Sequence, residues 1–421
     1  MTFYKNIPSI YKKVSLELFL FFVLIVLLLP SHSFRFDTEY WKQWALSIQN
    51  EGVGNIYNTD VNYPPVMIYL LYLYDLVQGP EKIAENINYF KAVPLLFDLL
   101  PILLLIIFRK AYDLQRGYYI FLLFNIAYLF NSVVWGQVDS IHSNLALTAI
   151  FISFRYPVAS LTVFILALNM KFAAIIFLPI LIICLFSKIN SVKTLAKTIL
   201  VALVVQILLL IPFFLADTLD DLWIIITKAT SSFPIASASA YNFWHLVLKT
   251  DAGITSDEEM FYLWSYKTIG LSLFFIMSTL ALFPLIVKTI NITITKVRPK
   301  SFQELVFLSS GMIAIIFIFF NTQMHERYAH PVLIFLFFYS IYRKNFILYI
   351  LASFAYLLNL EKLLHFYNIP YHTLIFDTKF IASIYLIVLV GGIVSIYRNY
   401  GIKKDLSFLI LSIGKKLKRV N

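Results

Sequence analysis

The run LAKTILVALVVQILLLIPFFL, residues 195–215, decides the class of this protein. It has 21 residues and one charged side chain, Lys197, and as a helix it is long enough to cross the roughly 30 Å hydrocarbon core of a bilayer. Similar runs recur along the chain. Together they predict an all-α polytopic membrane protein with about twelve transmembrane helices, at 14–30, 87–108, 117–134, 141–154, 157–169, 172–187, 195–215, 262–287, 302–320, 330–342, 346–360 and 379–397.

The composition indicates the same class. Hydrophobic residues make up 60% of the 421 residues and charged residues 14%, whereas soluble domains have about 45–50% and about 25%. These values exclude a disordered chain, a collagen-like chain and an ordinary soluble enzyme. The single cysteine, Cys184, excludes an intrachain disulfide and a cysteine zinc cluster.

The basic residues predict the orientation. With the N-terminus in the cytoplasm, 23 of the 34 Lys and Arg residues fall on the inner side and 11 on the outer side. The apolar stretch 66–78 is too short to span and is predicted to lie at the surface, because counting it as a span would reverse this bias. Residues 1–421 then form one transmembrane domain with both termini cytoplasmic. It has a first outer loop of interfacial helices at 31–86, a lid-like outer loop at 216–261 and a basic cytoplasmic tail at 398–421.

The first outer loop opens with acidic and aromatic residues. Asp37 and Glu39 follow the first span closely, and Trp41, Trp44 and Ile48 then repeat at helical spacing. This pattern predicts an amphipathic interfacial helix with its indoles at headgroup level. Two structural interpretations stay open, Asp37 as a helix N-cap and Glu39 as a first-turn charge.

The first span has an alternative interpretation of its own. It also resembles a signal peptide, but its apolar run is longer than most signal cores.

The segment WGQVD, residues 135–139, presents a combination of side chains that is typical of sugar sites. Trp135 offers a ring to stack on sugar CH groups, while Gln137 and Asp139 offer an amide and a carboxylate to bind hydroxyls. The alternative is an interfacial tryptophan followed by an N-cap aspartate.

Two shorter motifs add a proline turn and a lone lysine. Tyr63 precedes Pro64 and Pro65, which fix an extended turn that either begins a helix or shapes a ligand site. Lys171 lies between two apolar runs, where it either extends to lipid headgroups or contacts a lipid phosphate.

The segment NTQMHERYAHP, residues 321–331, is the densest polar cluster in the chain. The zinc motif H-E-x-x-H fails here, because position 329 is alanine and His325 and His330 face different sides of a helix. Arg327 as an anion fork, with His325 beside it, suits a phosphate at the lipid interface. The alternative is a structural polar network that closes the loop. The candidate residues of this cluster are His325, Glu326, Arg327 and Tyr328.

Three elements are predicted on one side of the membrane: the acidic residue after the first span, WGQVD, and MHERY at 324–328. In this order they resemble the GT-C superfamily of integral membrane glycosyltransferases. Over essentially the whole chain, the nearest likeness is to bacterial relatives of the second GPI mannosyltransferase, which share features with the dolichol-phosphate-glucose glucosyltransferases. FDTEYW at 36–41 and YPPV at 63–66 add moderately specific likeness.

The resemblance implies transfer of a hexose, with mannose favoured, from a polyprenyl-phosphate donor to a glycan or glycolipid acceptor in the outer leaflet. Asp37 would act as general base with inversion; its rival is Glu39, and Asp139 is a more distant candidate that is expected to bind the acceptor instead. Arg327, helped by Lys171 or His325, would hold the donor phosphate. The resemblance favours metal-free chemistry without a cofactor, although Asp37 and Glu39 could pass for a metal pair. The implied substrate-binding set is Glu39, Tyr63, Trp135, Gln137, Asp139, Lys171, His325, Glu326, Arg327 and Tyr328.

Two other classes stay open. A lipid-linked polysaccharide polymerase or ligase would have a similar number of spans. A lipid-sugar flippase or transporter would show internal repeats and charges at the membrane midplane, whereas this chain has no evident repeat and one mid-span acid, Asp98. Richness in Ile, Lys, Asn and Phe is typical of an AT-rich genome and favours a bacterial plasma membrane.

Overall fold

A computed structural model describes residues 19–29, 33–108, 118–189, 191–228, 233–369 and 374–420, with the backbone alone for 413–420. Parts of several predicted elements lie outside the described residues. They are 14–18 and 30 of the first predicted span, 117 of the third, 31–32 of the first outer loop, 229–232 of the lid-like loop and Asn421 of the tail. The helices are α1 (Phe19–Leu28), α2 (Arg35–Asn55), α3 (Pro65–Gln78), α4 (Ile83–Asn86), α5 (Ala92–Asp98), α6 (Leu100–Phe108), α7 (Ile120–Leu123), α8 (Ile126–Leu129), α9 (Asp139–Ser153), α10 (Pro157–Met170), α11 (Leu178–Phe186), α12 (Val192–Leu215), α13 (Leu219–Lys228), α14 (Phe243–Val247), α15 (Tyr266–Thr295), α16 (Ser301–Phe320), α17 (His330–Arg343), α18 (Ile347–Leu364), α19 (Thr378–Asn399) and α20 (Ile402–Val420).

Shorter elements connect these helices. Within the described ranges, four 3-10 segments lie at Ile56–Asn58, Ile87–Lys91, Phe172–Phe177 and Glu326–Ala329, and a π-helix covers Phe130–Trp135. The strands of the described residues, β1 (Met260–Phe261) and β2 (Trp264–Ser265), form one antiparallel hairpin.

The fold is an all-α membrane protein, as the sequence predicts. Six helical segments of the described chain are long and apolar enough to cross a bilayer: Ile83–Phe108, α12, α15, α16, α18 and α19. Each of the other predicted spans also contains helix, but in shorter pieces, so the total of twelve stays a prediction. The span predicted at 262–287 is wrong at both ends, since α15 runs from Tyr266 to Thr295. The predicted span at 262 begins inside the hairpin, and α15 starts at Tyr266, where the Ser265 side chain caps the helix by accepting from the Thr268 amide.

The buried core lies around α9, α16 and α17. Most of α16 is buried inside the protein, whereas most of α12 is exposed on its surface, so α16 is central and α12 peripheral. Pro157 and Pro331 stand in the first turns of α10 and α17, where a missing backbone N–H is tolerated. The helices α9 and α10 pack together, and α9 also packs against α17.

The first outer loop is helical, as predicted, but its aromatic stripe faces protein rather than lipid. Trp41, Trp44 and Ile48 are all buried, and the Trp41 indole N–H donates to the Gly136 carbonyl at 3.3 Å. Tyr63 lies against both indoles, with ring centroids 5.5 and 5.6 Å away. The predicted headgroup-level indoles are therefore packing residues that fix α2 on the segment after the π-helix.

The helix α3 corresponds to the stretch predicted to lie at the surface. One of its faces packs on protein, and the Tyr69 hydroxyl donates to the Leu209 carbonyl of α12 at 2.7 Å. The basic tail also forms a helix, α20. Its Asp405 forms an ion pair with Lys288 of α15 at 2.9 Å, which docks the start of the tail on that helix.

Candidate functional site

Four distant segments meet at one polar cluster. They are the first turn of α2, the turn between the π-helix and α9, the junction between α10 and the following 3-10 segment, and the loop 321–329. Except for Glu39 and Gln137, every residue of the predicted substrate set lies in or against this cluster, and so does Asp37. The sequence interpretation therefore predicted residues that the fold does bring together.

Asp139 is the buried centre of the cluster. Its Oδ1 pairs with the Lys171 ammonium, and its Oδ2 lies 3.5 Å from Arg327 Nε. Burial alone would raise the pKa of the Asp139 carboxyl, but Lys171 and Arg327 outweigh burial and lower that pKa to about 2. The N-cap interpretation of Asp139 is wrong, because Val138 occupies that position and the carboxylate turns inward as a counter-ion.

Lys171 is held inside the protein. Its ammonium lies 4.4 Å from the ring centroid of Tyr328 and 5.9 Å from that of Tyr63, which is cation–π distance. Burial would lower the pKa of Lys171, yet the charge of Asp139 raises it above the usual value. Lys171 therefore stays charged. The interpretation in which it extends to lipid headgroups is wrong.

Asp37 lies at the edge of the cluster and is partly exposed. It stands in the first turn of α2, whose N-cap is Phe34, so the capping interpretation of Asp37 is also wrong. The Trp135 indole N–H donates to Asp37 Oδ2 at 2.9 Å, and the Phe34 amide donates to the Trp135 carbonyl at 2.9 Å. These two bonds fix the carboxylate to the end of the π-helix, an irregularity that often marks functional sites.

The turn after the π-helix depends on Gly136. Its φ of +83° is left-handed, and a Cβ at this position would lie 2.7 Å from the Ser33 side chain. This glycine turns the chain between Trp135, which contacts Asp37, and Asp139, which contacts the two cations. The glycine of WGQVD is thus a requirement of the backbone.

Glu326 and Arg327 pair with each other at one side of the cluster. Arg327 Nη1 donates to Glu326 Oε1 at 3.0 Å, and the Tyr356 hydroxyl donates to the Arg327 carbonyl at 3.3 Å. Burial raises the pKa of Glu326, and Arg327 opposes that rise. The pKa of Arg327 is raised, because Glu326, Tyr328, Asp37 and Asp139 outweigh its burial.

His325 is fixed by the loop that was predicted to be a lid. Ala238 and Ser239 form β-bridge contacts with it, and its ring lies 4.7 Å from that of Phe233 and 5.2 Å from that of Tyr328. Burial lowers the pKa of His325 to about 3, with Arg327 and Lys171 acting in the same direction. His325 is therefore neutral near pH 7 and can act as a hydrogen-bond partner but not as a cation.

The structure does not bring Glu39 and Gln137 into the cluster. Glu39 is exposed, and two helical residues correspond to a rotation of about 200°, so it faces away from Asp37. Gln137 is buried in the turn, where its Oε1 accepts from the Val138 amide at 3.3 Å. A sequence cannot show these directions before the helix and turn boundaries are known.

Sequence reasoning missed a second polar network behind the cluster. The Asn144 amide lies 3.4 Å from Asp98 Oδ1 and 2.9 Å from the Tyr128 hydroxyl, and His330 Nε2 lies 3.9 Å from Asp98 Oδ1. In the sequence, Asp98 was the one residue that pointed to this network, because it is an acidic residue in the middle of a predicted span. Asp139 and Tyr328 also line a small cavity together with His142 and apolar side chains.

The cluster holds three carboxylates and two permanent cations, since His325 is neutral. Arg327 and Lys171 are thus already compensated, and an arriving anion must share them with Asp139 and Glu326. Among the described residues, no group of three or more His, Cys, Asp or Glu side chains is placed to hold a metal ion. Compared with known proteins, the chain matches no family model and no curated protein sequence.

Proposed function

We propose that this protein is a membrane glycosyltransferase that moves a hexose from a polyprenyl-phosphate sugar to an acceptor hydroxyl, with inversion at the anomeric carbon. The observation that supports it is the junction of a partly exposed carboxylate, Asp37, with two largely but not fully buried cations, Arg327 and Lys171, through Trp135 and Asp139. Such a site offers a base and an anion-binding wall side by side.

In the proposed step, the acceptor oxygen bonds to the anomeric carbon while the bond from that carbon to the phosphate oxygen breaks. Asp37 takes the hydroxyl proton, and the lipid phosphate leaves with the bonding electron pair. The Trp135 N–H holds Oδ2 of Asp37, so the carboxylate keeps a fixed direction. Hydrogen bonds among the described residues involve this oxygen of Asp37 only, which leaves Oδ1 for the acceptor.

Arg327 and Lys171 would stabilise the charge of the leaving phosphate. Both cations keep an exposed fraction of their side chains, 15% and 12%, whereas Asp139 is fully buried between them. Asp139 is therefore assigned as a counter-ion that positions the cations, in place of the acceptor-binding role expected from the sequence. Tyr63, His325, Glu326 and Tyr328 remain candidates for contacts to the donor.

The side of the membrane on which the site lies and the identity of the substrates are parts of the same proposal. The Lys and Arg distribution supports an extracytoplasmic site in the plasma membrane, with both termini cytoplasmic. The sequence resemblance to GT-C enzymes favours mannose as the sugar and a glycan or glycolipid as the acceptor.

The test is a panel of polyprenyl-phosphate sugars supplied to the purified protein in lipid nanodiscs. Asp37→Asn keeps the side-chain shape and the bond from Trp135, and it should lower turnover by about 10²–10⁴-fold without weakening donor binding. Glu39→Gln is the matched control, because it neutralises an exposed carboxylate two residues away. Equal activity in Asp37→Asn and the control would refute the assignment of the base. In proteoliposomes, where the two leaflets face separate compartments, donor lipid that crosses the bilayer without being consumed would indicate a flippase instead.

The phosphate assignment has its own test. Arg327→Lys keeps the charge but loses the planar fork, so donor use should fall about tenfold or more, which equals about 1.4 kcal/mol. Arg343→Lys is the control, since Arg343 pairs with Glu304 and ends α17, about 20 Å along the helix axis from the end that adjoins the cluster. Unchanged donor kinetics in Arg327→Lys would remove Arg327 from the site.

A further inference from the structure

The hairpin of β1 and β2 exposes an unusual run of apolar side chains. Met260, Phe261 and Trp264 are more than half exposed, and the turn residues Tyr262 and Leu263 are 89% and 84% exposed. Water contact with five large apolar side chains in a row is unfavourable, and patches of this kind mark interaction surfaces. The hairpin has no role in the proposed chemistry.

Its position relative to α15 indicates what covers it. The helix α15 begins directly after the hairpin and carries an exposed apolar stripe that includes Leu271, Phe275 and Ile286. Leu271 lies five residues beyond Tyr266, or about 8 Å along the helix axis. The polar interface on each side of a bilayer is roughly 5–8 Å thick, so a stripe in the hydrocarbon core places the hairpin at headgroup depth.

The composition of the hairpin fits that depth. No charged residue occurs between Met260 and Tyr266, and the tip combines aromatic rings with aliphatic chains. Tyr and Trp concentrate at membrane interfaces, because their rings are apolar and their polar edges reach water. The flanking charges, Glu258 and Lys267, pair with each other at 3.1 Å at the base of the hairpin.

The base of the hairpin is tied to the polar cluster. Buried Asp257 accepts from both the Thr322 hydroxyl and the Gln323 side-chain amide at 2.8 Å. The Asp257 carbonyl also accepts from the Lys267 amide at 2.9 Å, at the start of α15. The loop that leads to His325 is thus fixed to the hairpin through one carboxylate.

We propose that the hairpin of residues 260–265 inserts into the headgroup region of the outer membrane leaflet and holds loop 321–325 at a fixed depth. The occupant of this surface is the lipid bilayer itself, because the hairpin continues the lipid-facing side of α15. The inference goes beyond the proposed glycosyl transfer and does not depend on that chemistry; it shares with the proposed function only the side of the membrane on which the hairpin lies.

The test is a depth measurement in the full-length protein. Cys184, the single cysteine, is replaced by alanine, and Leu263→Cys is labelled with an environment-sensitive fluorophore in nanodiscs that hold one protein copy. Lys249→Cys is the matched control, since it is an exposed, charged position in the same outer loop. A nitroxide on the lipid headgroup should quench the Leu263 probe about twofold or more relative to the Lys249 probe.

Equal quenching at the two positions would refute insertion into lipid. A Leu263 probe that is shielded without lipid quenching, together with cross-linking of the unlabelled Leu263→Cys variant when nanodiscs hold two copies, would overturn the proposal in favour of a dimer contact. Neither result would affect the Asp37→Asn test, so failure here is distinguishable from failure of the proposed function.

Discussion

Replacement of Asp139 by asparagine is the most direct perturbation of the cluster. The pKa of Asp139 is lowered from 3.8 to about 2 despite burial, which corresponds to roughly 2–3 kcal/mol of net stabilisation of the ionised carboxylate. Asparagine would also leave Lys171 without its main counter-ion, and removing one partner of a buried pair costs about 3–5 kcal/mol. We therefore expect a loss of about 3 kcal/mol of unfolding free energy.

The assay is thermal unfolding in detergent micelles at a fixed scan rate and pH 7. For a chain of this length, about 3 kcal/mol corresponds to a fall in apparent Tm of roughly 3–6 °C. Asp220→Asn, an exposed aspartate on α13, is the control and should leave Tm unchanged. The double variant Asp139→Asn with Lys171→Met should lose less than the sum of the single changes, since it removes both members of the pair. A Tm within 1 °C of the parent in Asp139→Asn would refute the buried ion pair.

Three further predictions concern neighbouring residues. Because the folded-state pKa of His325 is about 3, the unfolded chain binds a proton below about pH 6.5 and the native state does not. The free energy of unfolding therefore decreases as the pH is lowered. His325→Gln should make this decrease smaller by up to about 2 kcal/mol at pH 5, measured by unfolding at pH 7 and pH 5. Gly136→Ala should lower stability by more than about 1 kcal/mol, whereas Gly52→Ala, with a similar positive φ but open space around it, should lose less; equal Tm values would contradict the steric argument. Trp135→Phe removes the donor to Asp37, and a bond to a charged group is worth about 1.5–3 kcal/mol, so turnover should fall about tenfold or more; unchanged turnover would show that the bond does not position the carboxylate.

Much of the fold could be predicted because apolar runs have to be buried or placed in lipid whatever their partners. The runs at 195–215 and 302–320 correspond to α12 and α16 within a few residues. Run length alone did not separate the central helix from the peripheral one, since that depends on neighbouring helices. The start of α15 was predicted too early because MFYLW is apolar, although Ser265 and Thr268 carry the capping signal.

The candidate site could be predicted as a set of residues but not as a set of roles. Polar residues beside apolar runs need partners, and this requirement singled out Lys171 and Arg327. Their partner, Asp139, was predicted to bind the acceptor, because a sequence gives no distance between positions 139 and 171. Asp37 was preferred to its rival Glu39 only through the resemblance; once α2 has a defined start, Asp37 faces the cluster and Glu39 faces away from it.

The ion pairs of the cluster also bear on how the chain enters the membrane. Lys171 follows Asp139 by 32 positions, and Arg327 directly follows Glu326, so each cation is synthesised together with a carboxylate that it contacts in the folded protein. Each of these two ion pairs therefore has no net charge by itself when its segments reach the insertion machinery. The cross-contact between Arg327 and Asp139 forms only once the late helices have joined the early ones, which makes it a marker of completed assembly.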